Sequence, residues 1–363
     1  MKRSVSEGGL KNVMNDSDYI LRCLELAANG EYYVAPNPMV GALLVDPATD
    51  RVVAEGWHRQ YGGPHAEVEC FRAADARMAG LTEAEKAARY GSLTLYVSLE
   101  PCSHYGKTPP CADLIVKKGV RRVVVGILDP NPQVAGKGVQ NLRDAGIEVT
   151  VGVEQAACRR LNKRFLCLHE KHRPYVILKW AQTADGFVDS RESKAESREP
   201  RVESQPLVIS TPVTKQIVHQ MRAENMAIMV GTRTALLDNP SLLTTRWPGR
   251  NPVRVVLDRH HLIPKDAKIF SGDAPTIVYS ERTDWEYVLG DLAQRGIHSV
   301  LVEGGPTLLR HILQTGIWDE MHVEVGAMTI GSGVPAPEVE LPDTYEQVGE
   351  AKLYTIDNLH EYE

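Results

Sequence analysis

Short apolar runs of strand length alternate with helix-length runs along almost the whole chain, and this alternation limits the fold more than any other feature. Residues 41–46 (GALLVD) and 52–55 read as strands across a short turn. Residues 93–99 (LTLYVSL) form a buried strand that stops at Glu100 and Pro101, and residues 120–127 (VRRVVVGI) form the next. Helical periodicity fills 19–29, 65–79, 112–118 and 139–145. The pattern restarts after Pro174 with the strand YVILKWAQ, followed by strands at 227–230, 253–257, 276–279, 299–302 and 320–325 and helices at 212–222, 285–295 and 307–314. Thr211 is the expected N-cap of the first of these helices, with Pro212 at its first position. Strands alternating with helices predict an α/β fold whose sheets are largely parallel. In such sheets ligands bind beyond the carboxyl ends of strands, where Glu100–Cys102 and Asp129–Asn131 fall. The expected organisation is a first domain over 15–157, a connector read as one helix over 158–171, and a second domain over 172–363.

Composition narrows the function classes. The 363 residues include 43% hydrophobic residues, enough for a core in each half, and carry 41 basic against 47 acidic side chains, a formal charge of −6. No basic stripe stands out, which argues against nucleic acid as a partner. A small anionic substrate needs only one or two local cations. The first residues lack an apolar secretory core, no run is long enough for a bilayer, and the expected location is the cytoplasm, where thiols stay reduced. Cys23, Cys70, Cys158 and Cys167 lie in apolar helical stretches and are expected in the core. Residues 189–205 hold nine charged side chains among seventeen, of both signs, and read as a solvated loop.

Chemistry concentrates around His65, Glu67, Cys102 and Cys111. His65-Ala66-Glu67 opens a helix, Pro101-Cys102 follows a buried strand, and Cys111 opens another helix. One imidazole and two thiolates suit zinc and leave a fourth tetrahedral position for water. Zinc acidifies that water toward hydroxide near neutral pH. Glu67 lies off the metal but next to it, where a carboxylate can pass a proton from water to a leaving amine. Zinc deaminases carry this H-x-E with a later P-C-x-x-C; here eight residues, not two, separate the cysteines. Cys158 and Cys167 share that spacing, but on one helix they would face opposite sides. HEKH at 169–172 is not a metalloprotease motif, because Arg173 occupies the required fifth position.

The strings PNPMVGALLV, GGPHAEV, LEPCSHYGKTPPC and GILDPNPQVAGKG resemble the bifunctional riboflavin-biosynthesis deaminase/reductase family, in which the eight-residue gap is usual. LKWAQTADGFV, MRAENMAIMVGTRTALLDNPSLLTTRW, PVRVVLD and VEGGPTLL extend the resemblance through the second half. It implies an N-terminal cytidine-deaminase-like three-layer domain and a C-terminal domain similar to dihydrofolate reductase. It implies deamination of 2,5-diamino-6-(5-phosphoribosylamino)pyrimidin-4-one, then NADPH reduction of the ribosyl group to ribityl. His65, Cys102 and Cys111 would hold one zinc, with Glu67 as catalytic proton shuttle. Asn37, His58, His104, Lys107, Asp129 and Asn131 match deaminase substrate positions. Lys179, Ala181, Arg222, Gly231, Thr234, Asp238, Leu242, Arg246, Glu303, Gly304 and Gly305 match reductase substrate or cofactor positions, with Lys179 expected at or near the end of the strand YVILK and Asp238 at a turn facing the cleft. The glycines would admit dinucleotide phosphates to the backbone, although no G-x-G-x-x-G is present.

Two departures affect the second half. Val208-Ile209-Ser210 stands where a Trp-Ile-Thr type segment is common, and the stretch around Leu242 is one residue longer. The alternative is therefore a deaminase with an impaired reductase-like domain. A nucleic-acid base deaminase is opposed by the charge balance, and a purely structural zinc module by Glu67 beside an open ligand position. A homo-oligomer acting on a small phosphorylated pyrimidine, away from membranes, is expected.

Overall fold

The computed structural model describes residues 14–105, 109–131, 135–191 and 207–358. The chain divides between Lys163 and Arg164 into two compact units.

The first unit runs α1 (Asp16–Ala28), β1 (Gly41–Asp46), β2 (Arg51–Trp57), α2 (Ala66–Arg77), α3 (Glu83–Tyr90), β3 (Thr94–Leu99), α4 (Cys111–Lys118), β4 (Arg122–Ile127), α5 (Lys137–Asp144), β5 (Glu148–Val151) and α6 (Gln155–Leu161). Its five-stranded sheet has the order β2-β1-β3-β4-β5. β1 is antiparallel to both neighbours, while β3, β4 and β5 are parallel. Alternate strand residues point to opposite faces. Leu44, Leu95, Val97, Val123 and Val125 pack with Phe71 of α2, Ile115 of α4 and Leu142 of α5. On the other face, Cys23 of α1 donates to the Tyr96 carbonyl at 3.6 Å, and the Tyr19 and Tyr96 rings lie 4.7 Å apart. Cys158 of α6 approaches Gly126 there so closely that a Cβ would sit 2.3 Å from its sulfur. The unit is thus three layers, helices enclosing a sheet.

The second unit contains most of α7 (Lys163–Lys171), then β6 (Tyr175–Gln182), β7 (Phe187–Asp189), α8 (Pro212–Glu224), β8 (Ala227–Gly231), α9 (Thr232–Asp238), β9 (Val253–Leu257), β10 (Thr276–Tyr279), α10 (Trp285–Gln294), β11 (Ser299–Val302), α11 (Pro306–Thr315), β12 (Glu320–Val325), β13 (Val334–Pro335), β14 (Glu346–Val348) and β15 (Ala351–Asp357). Eight strands lie in the order β10-β9-β8-β11-β6-β12-β15-β14. β10 through β12 are parallel, and β15 and β14 are added antiparallel. Strand alternation splits the core into two clusters. Val176, Leu178 and Trp180 pack with α10 and α11, and Tyr175 and Ile177 with Met221 of α8 and Ala235 of α9. Thr211 caps α8 by accepting from the Thr214 N–H, with Pro212 in the first turn.

Two expectations change. The stretch 158–171 is not one helix but α6 and α7, broken at Asn162. The buried Asn162 side chain accepts from the Met39 N–H at 2.8 Å and donates to the Met39 carbonyl at 2.9 Å, holding the backbone at the break. The argument that Cys158 and Cys167 face opposite sides of one helix therefore lapses; both are buried, as expected of core cysteines. α3 was not anticipated, although Thr82 and Glu85 form a capping box that the sequence displays. Among the described residues, no helix is long and apolar enough to cross a membrane.

Candidate active site

Three local starts and stops bring the metal-type donors together. His65 is the extended N-cap residue of α2, Cys102 lies just past β3, and Cys111 is the first residue of α4. His65 Nδ1 lies 3.6 Å from Cys102 Sγ and 3.4 Å from Cys111 Sγ, and the three donor atoms fall within 4.8 Å of one another. The Cys111 backbone N–H donates to Cys102 Sγ at 3.2 Å. Hydrogen bonding from Cys111 pushes the Cys102 thiol down to about 4, and the neighbouring His65 adds to this, while burial opposes it. The same contact, with burial, raises Cys111. Two cysteine sulfurs and an imidazole converging at this separation are a donor set that fits zinc, which binds both sulfurs as thiolates.

Glu67 is 3% exposed, in the first turn of α2. Burial raises its carboxyl to about 7, and the Cys102 charge pushes the same way. His58, also buried, sits edge-on to His65 with ring centroids 5.6 Å apart. Its Nδ1 lies 2.9 Å from the Pro64 carbonyl, which can only accept, so Nδ1 carries the proton and Nε2 accepts from the Asn37 amide at 3.1 Å. Burial lowers the His58 pKa, in keeping with a neutral ring. Asn37 and His58 are thereby locked beside the donor cluster. His104 is exposed on the loop after Cys102, and Lys107 lies outside the described residues.

Asp129 and Asn131 follow β4, as expected, and are placed by Glu100, which the sequence marks as a strand end but gives no role. The buried Glu100 carboxylate accepts from Asp129 N–H at 3.0 Å, Gly136 N–H at 2.9 Å and Val139 N–H at 3.0 Å. Asp129 in turn accepts from the Asn131 N–H at 2.9 Å. The packing needs glycine at 138, where a Cβ would lie 2.0 Å from the Pro101 carbonyl oxygen. A lone acidic residue at a strand end gives no sequence pattern; its partners are backbone groups 29 to 39 positions away.

The second unit contains a cavity of about 1080 Å³. Lys179, Ala181, Gly231, Thr234, Asp238, Glu303, Gly304 and Gly305 line it, eight of the eleven anticipated residues. Lys179 does not end its strand but lies mid-β6, with Nζ 3.7 Å from the buried Glu324 carboxylate. Ser210 donates to the same carboxylate at 2.6 Å. Arg222 is outside the lining and instead grips Glu303 with two hydrogen bonds, Nε–Oε1 at 2.9 Å and Nη2–Oε2 at 2.6 Å. Burial raises the Glu303 carboxyl, but Arg222 outweighs it and the net shift is downward. Asp238 is the last residue of α9 rather than part of an open turn, and Arg191, not anticipated, donates to it at 2.7 Å. Leu242 is in the core at φ +56°, and Arg246 is exposed; neither lines the cavity. A Cβ at Gly304 would come within 2.8 Å of the tip of the Leu308 side chain, while Gly231 has only Leu308 at 4.0 Å.

Comparison with known proteins agrees with this division. Residues 14–127 match the cytidine and deoxycytidylate deaminase zinc-binding region, and residues 174–358 match the RibD C-terminal domain. The riboflavin biosynthesis protein RibD of Aquifex aeolicus is 33% identical over 95% of this chain and 96% of its own length. That of Synechocystis is 37% identical over 90% and 88%. Acinetobacter baumannii RibD is similar in structure with TM-score 0.78 and 31% identity, over 94% of this chain and 98% of that one. A Thermotoga maritima diaminohydroxyphosphoribosylaminopyrimidine deaminase/5-amino-6-(5-phosphoribosylamino)uracil reductase gives 0.77 and 34% over the same shares. The chain belongs to the RibD family of riboflavin-biosynthesis proteins and joins a zinc-binding deaminase domain to a reductase domain.

Proposed function

We propose that this chain deaminates 2,5-diamino-6-(5-phosphoribosylamino)pyrimidin-4-one in a domain over 15–157 and, in a domain over 172–363, reduces the ribosyl group of the product to ribityl with NADPH. Residues 158–171 connect them. The observation that carries the reading is the convergence of His65, Cys102 and Cys111 within 4.8 Å beside the buried Glu67. Zinc bound by those three donors supplies a Lewis acid that makes water nucleophilic at neutral pH. Glu67 takes the proton from the attacking water and delivers it to the departing ring amine; a carboxyl raised toward neutrality serves both directions. Asn37, oriented by His58, together with Asp129 and Asn131, reads ring nitrogens and ribose hydroxyls. His104 contacts the substrate in this reading, and the Lys107 ammonium supplies a charge suited to its phosphate.

In the second domain NADPH supplies a hydride. Lys179, held against Glu324, donates hydrogen bonds to the ribosyl group and its phosphate. Glu303 is kept ionised by Arg222, and Gly304-Gly305, at the start of α11, would hold the dinucleotide phosphates. Nothing lining the cavity favours an impaired reductase: Lys179 and Glu303 share it, and Ser210 keeps a hydrogen bond to Glu324 despite the exposed Val208. A cytoplasmic homo-oligomer completes the proposal, and sedimentation tests the assembly. Purified protein is expected to hold about one zinc per chain. Cys111→Ser is expected to lose metal and deamination together; full zinc occupancy in that variant contradicts the site.

A further inference from the structure

Resting on the reading of the second unit's cavity as the reductase site, we propose that Glu324, fixed by Ser210, is a positioning residue for the reduction: it holds the Lys179 ammonium on the cavity wall for the ribosyl group.

Glu324 is on β12, which runs parallel beside β6 with Lys179 opposite His322 and Ala181 opposite Glu324. Lys179 and Ala181 line the cavity, while Glu324 is outside the lining and only 2% exposed. Lys179 Nζ reaches diagonally across the strand pair to within 3.7 Å of Glu324 Oε2. That separation is an ion pair without a hydrogen bond, and among the described residues Nζ makes none. Its three N–H donors therefore remain for a ligand in the cavity. Glu303 also feels the Lys179 charge, but both its oxygens are held by Arg222. Among the described residues, Glu324 is the only carboxylate paired with this ammonium.

Stability of the core does not call for this carboxylate. Glu324 Oε1 lies out of solvent and has no hydrogen-bond partner among the described residues. A buried charge with an unmade hydrogen bond is costly, and an apolar side chain of similar volume would pack there at lower cost. The carboxylate is nonetheless oriented. Ser210 donates to Oε2 at 2.6 Å from the position just before Thr211, the N-cap of α8. Ile209 packs against Gly326 after β12, where a Cβ would be 2.8 Å from its Cγ2. The hydroxyl thus comes from a segment tied to both α8 and β12. A lysine has a flexible four-carbon stem and no rigid fork, and an ion pair at its tip selects the rotamers that keep Nζ on the wall. In the reduction, hydride from NADPH forms the new C1′–H bond. The bond from C1′ to the ribosyl ring oxygen breaks, its electron pair goes to that oxygen, and the oxygen takes one proton. An ammonium held on the wall can give that proton and regain it from water. Glu324 acts only by placing Nζ.

The test is the single-turnover rate of NADPH-dependent reduction of the deaminated substrate by the full chain. Calorimetric NADPH affinity is measured alongside and reports whether the second unit is intact. Glu324→Gln keeps the shape and removes the charge. It is expected to slow reduction about tenfold to a hundredfold, the worth of an interaction with a charged group, with NADPH affinity and deamination unchanged. Ser210→Ala, which only frees the carboxylate to turn, is expected to slow reduction several-fold. Because both act through Nζ, neither should slow the Lys179→Ala variant further. Reduction at the parent rate in Glu324→Gln overturns the positioning role, and so does an equal slowing with and without Lys179. If Glu324→Gln loses NADPH affinity, Ser210→Ala decides by the same two criteria. If Lys179→Ala itself reduces at the parent rate, the reading of the site falls, and the role of Glu324 with it.

Discussion

At the scale of single residues, the deaminase site separates into groups the sequence displays and groups it hides. His65, Glu67, Cys102 and Cys111 are legible because few residue types serve this chemistry and each stands at a strand end or helix start. Glu100 is not, because its role lies in three backbone hydrogen bonds made across the fold. Glu67→Gln preserves shape and removes the base; zinc content should hold while deamination falls about a hundredfold or more, and near-normal turnover would remove Glu67 from the proton path. Glu100→Gln turns an amide N–H₂ toward backbone donors and slackens the loop bearing Asp129 and Asn131. Its expected signature is a KM for deamination raised about tenfold, roughly the worth of one hydrogen bond to a charged group, with zinc retained. An unchanged KM would confine Glu100 to folding. Asp129→Asn is the companion variant: if its KM is unchanged, the substrate role of that loop is at fault, not the clamp.

At the scale of elements, the apolar strands were readable nearly to their ends: 253–257, 276–279, 299–302 and 320–325 are strands β9 to β12 as expected. Buried parallel strands give continuous apolar runs that few other structures need. What escaped depends on partners distant in sequence. Asn162 breaks a helical stretch through its bonds to Met39. The seven residues of α9 have no side-chain cap to announce them, so Asp238 looked like part of a turn. Lys179 read as a strand end, yet β6 continues through Gln182 and keeps the ammonium against Glu324 on the cavity wall. Lys179→Ala should therefore abolish most NADPH-dependent reduction of pre-deaminated substrate, while deamination, carried by the other unit, continues. Reduction at the parent rate would exclude Lys179 from the site.

At the scale of the whole molecule, each unit has its own sheet and core, and the two should respond differently to acid. His298, in the second unit, is 5% exposed, and burial depresses its pKa to about 4 from 6.5. Above pH 6.5 the ring is neutral folded and unfolded, so its contribution is intact. As pH falls from 6.5 toward 4 only the unfolded chain takes the proton, and about 3 kcal/mol is lost. Denaturant titrations should show the stability of the parent falling relative to His298→Asn by about that amount over this window; a constant difference would mean that His298 titrates normally. The bifunctional reading itself is tested by supplying the diaminopyrimidine nucleotide to the purified chain, with and without NADPH, and identifying the products by mass. Without NADPH the deaminated ribosyl compound should accumulate, and with it the ribityl compound should replace it. An absence of deaminated product, or deamination with no NADPH-dependent reduction, would contradict the assignment of two activities to the two units.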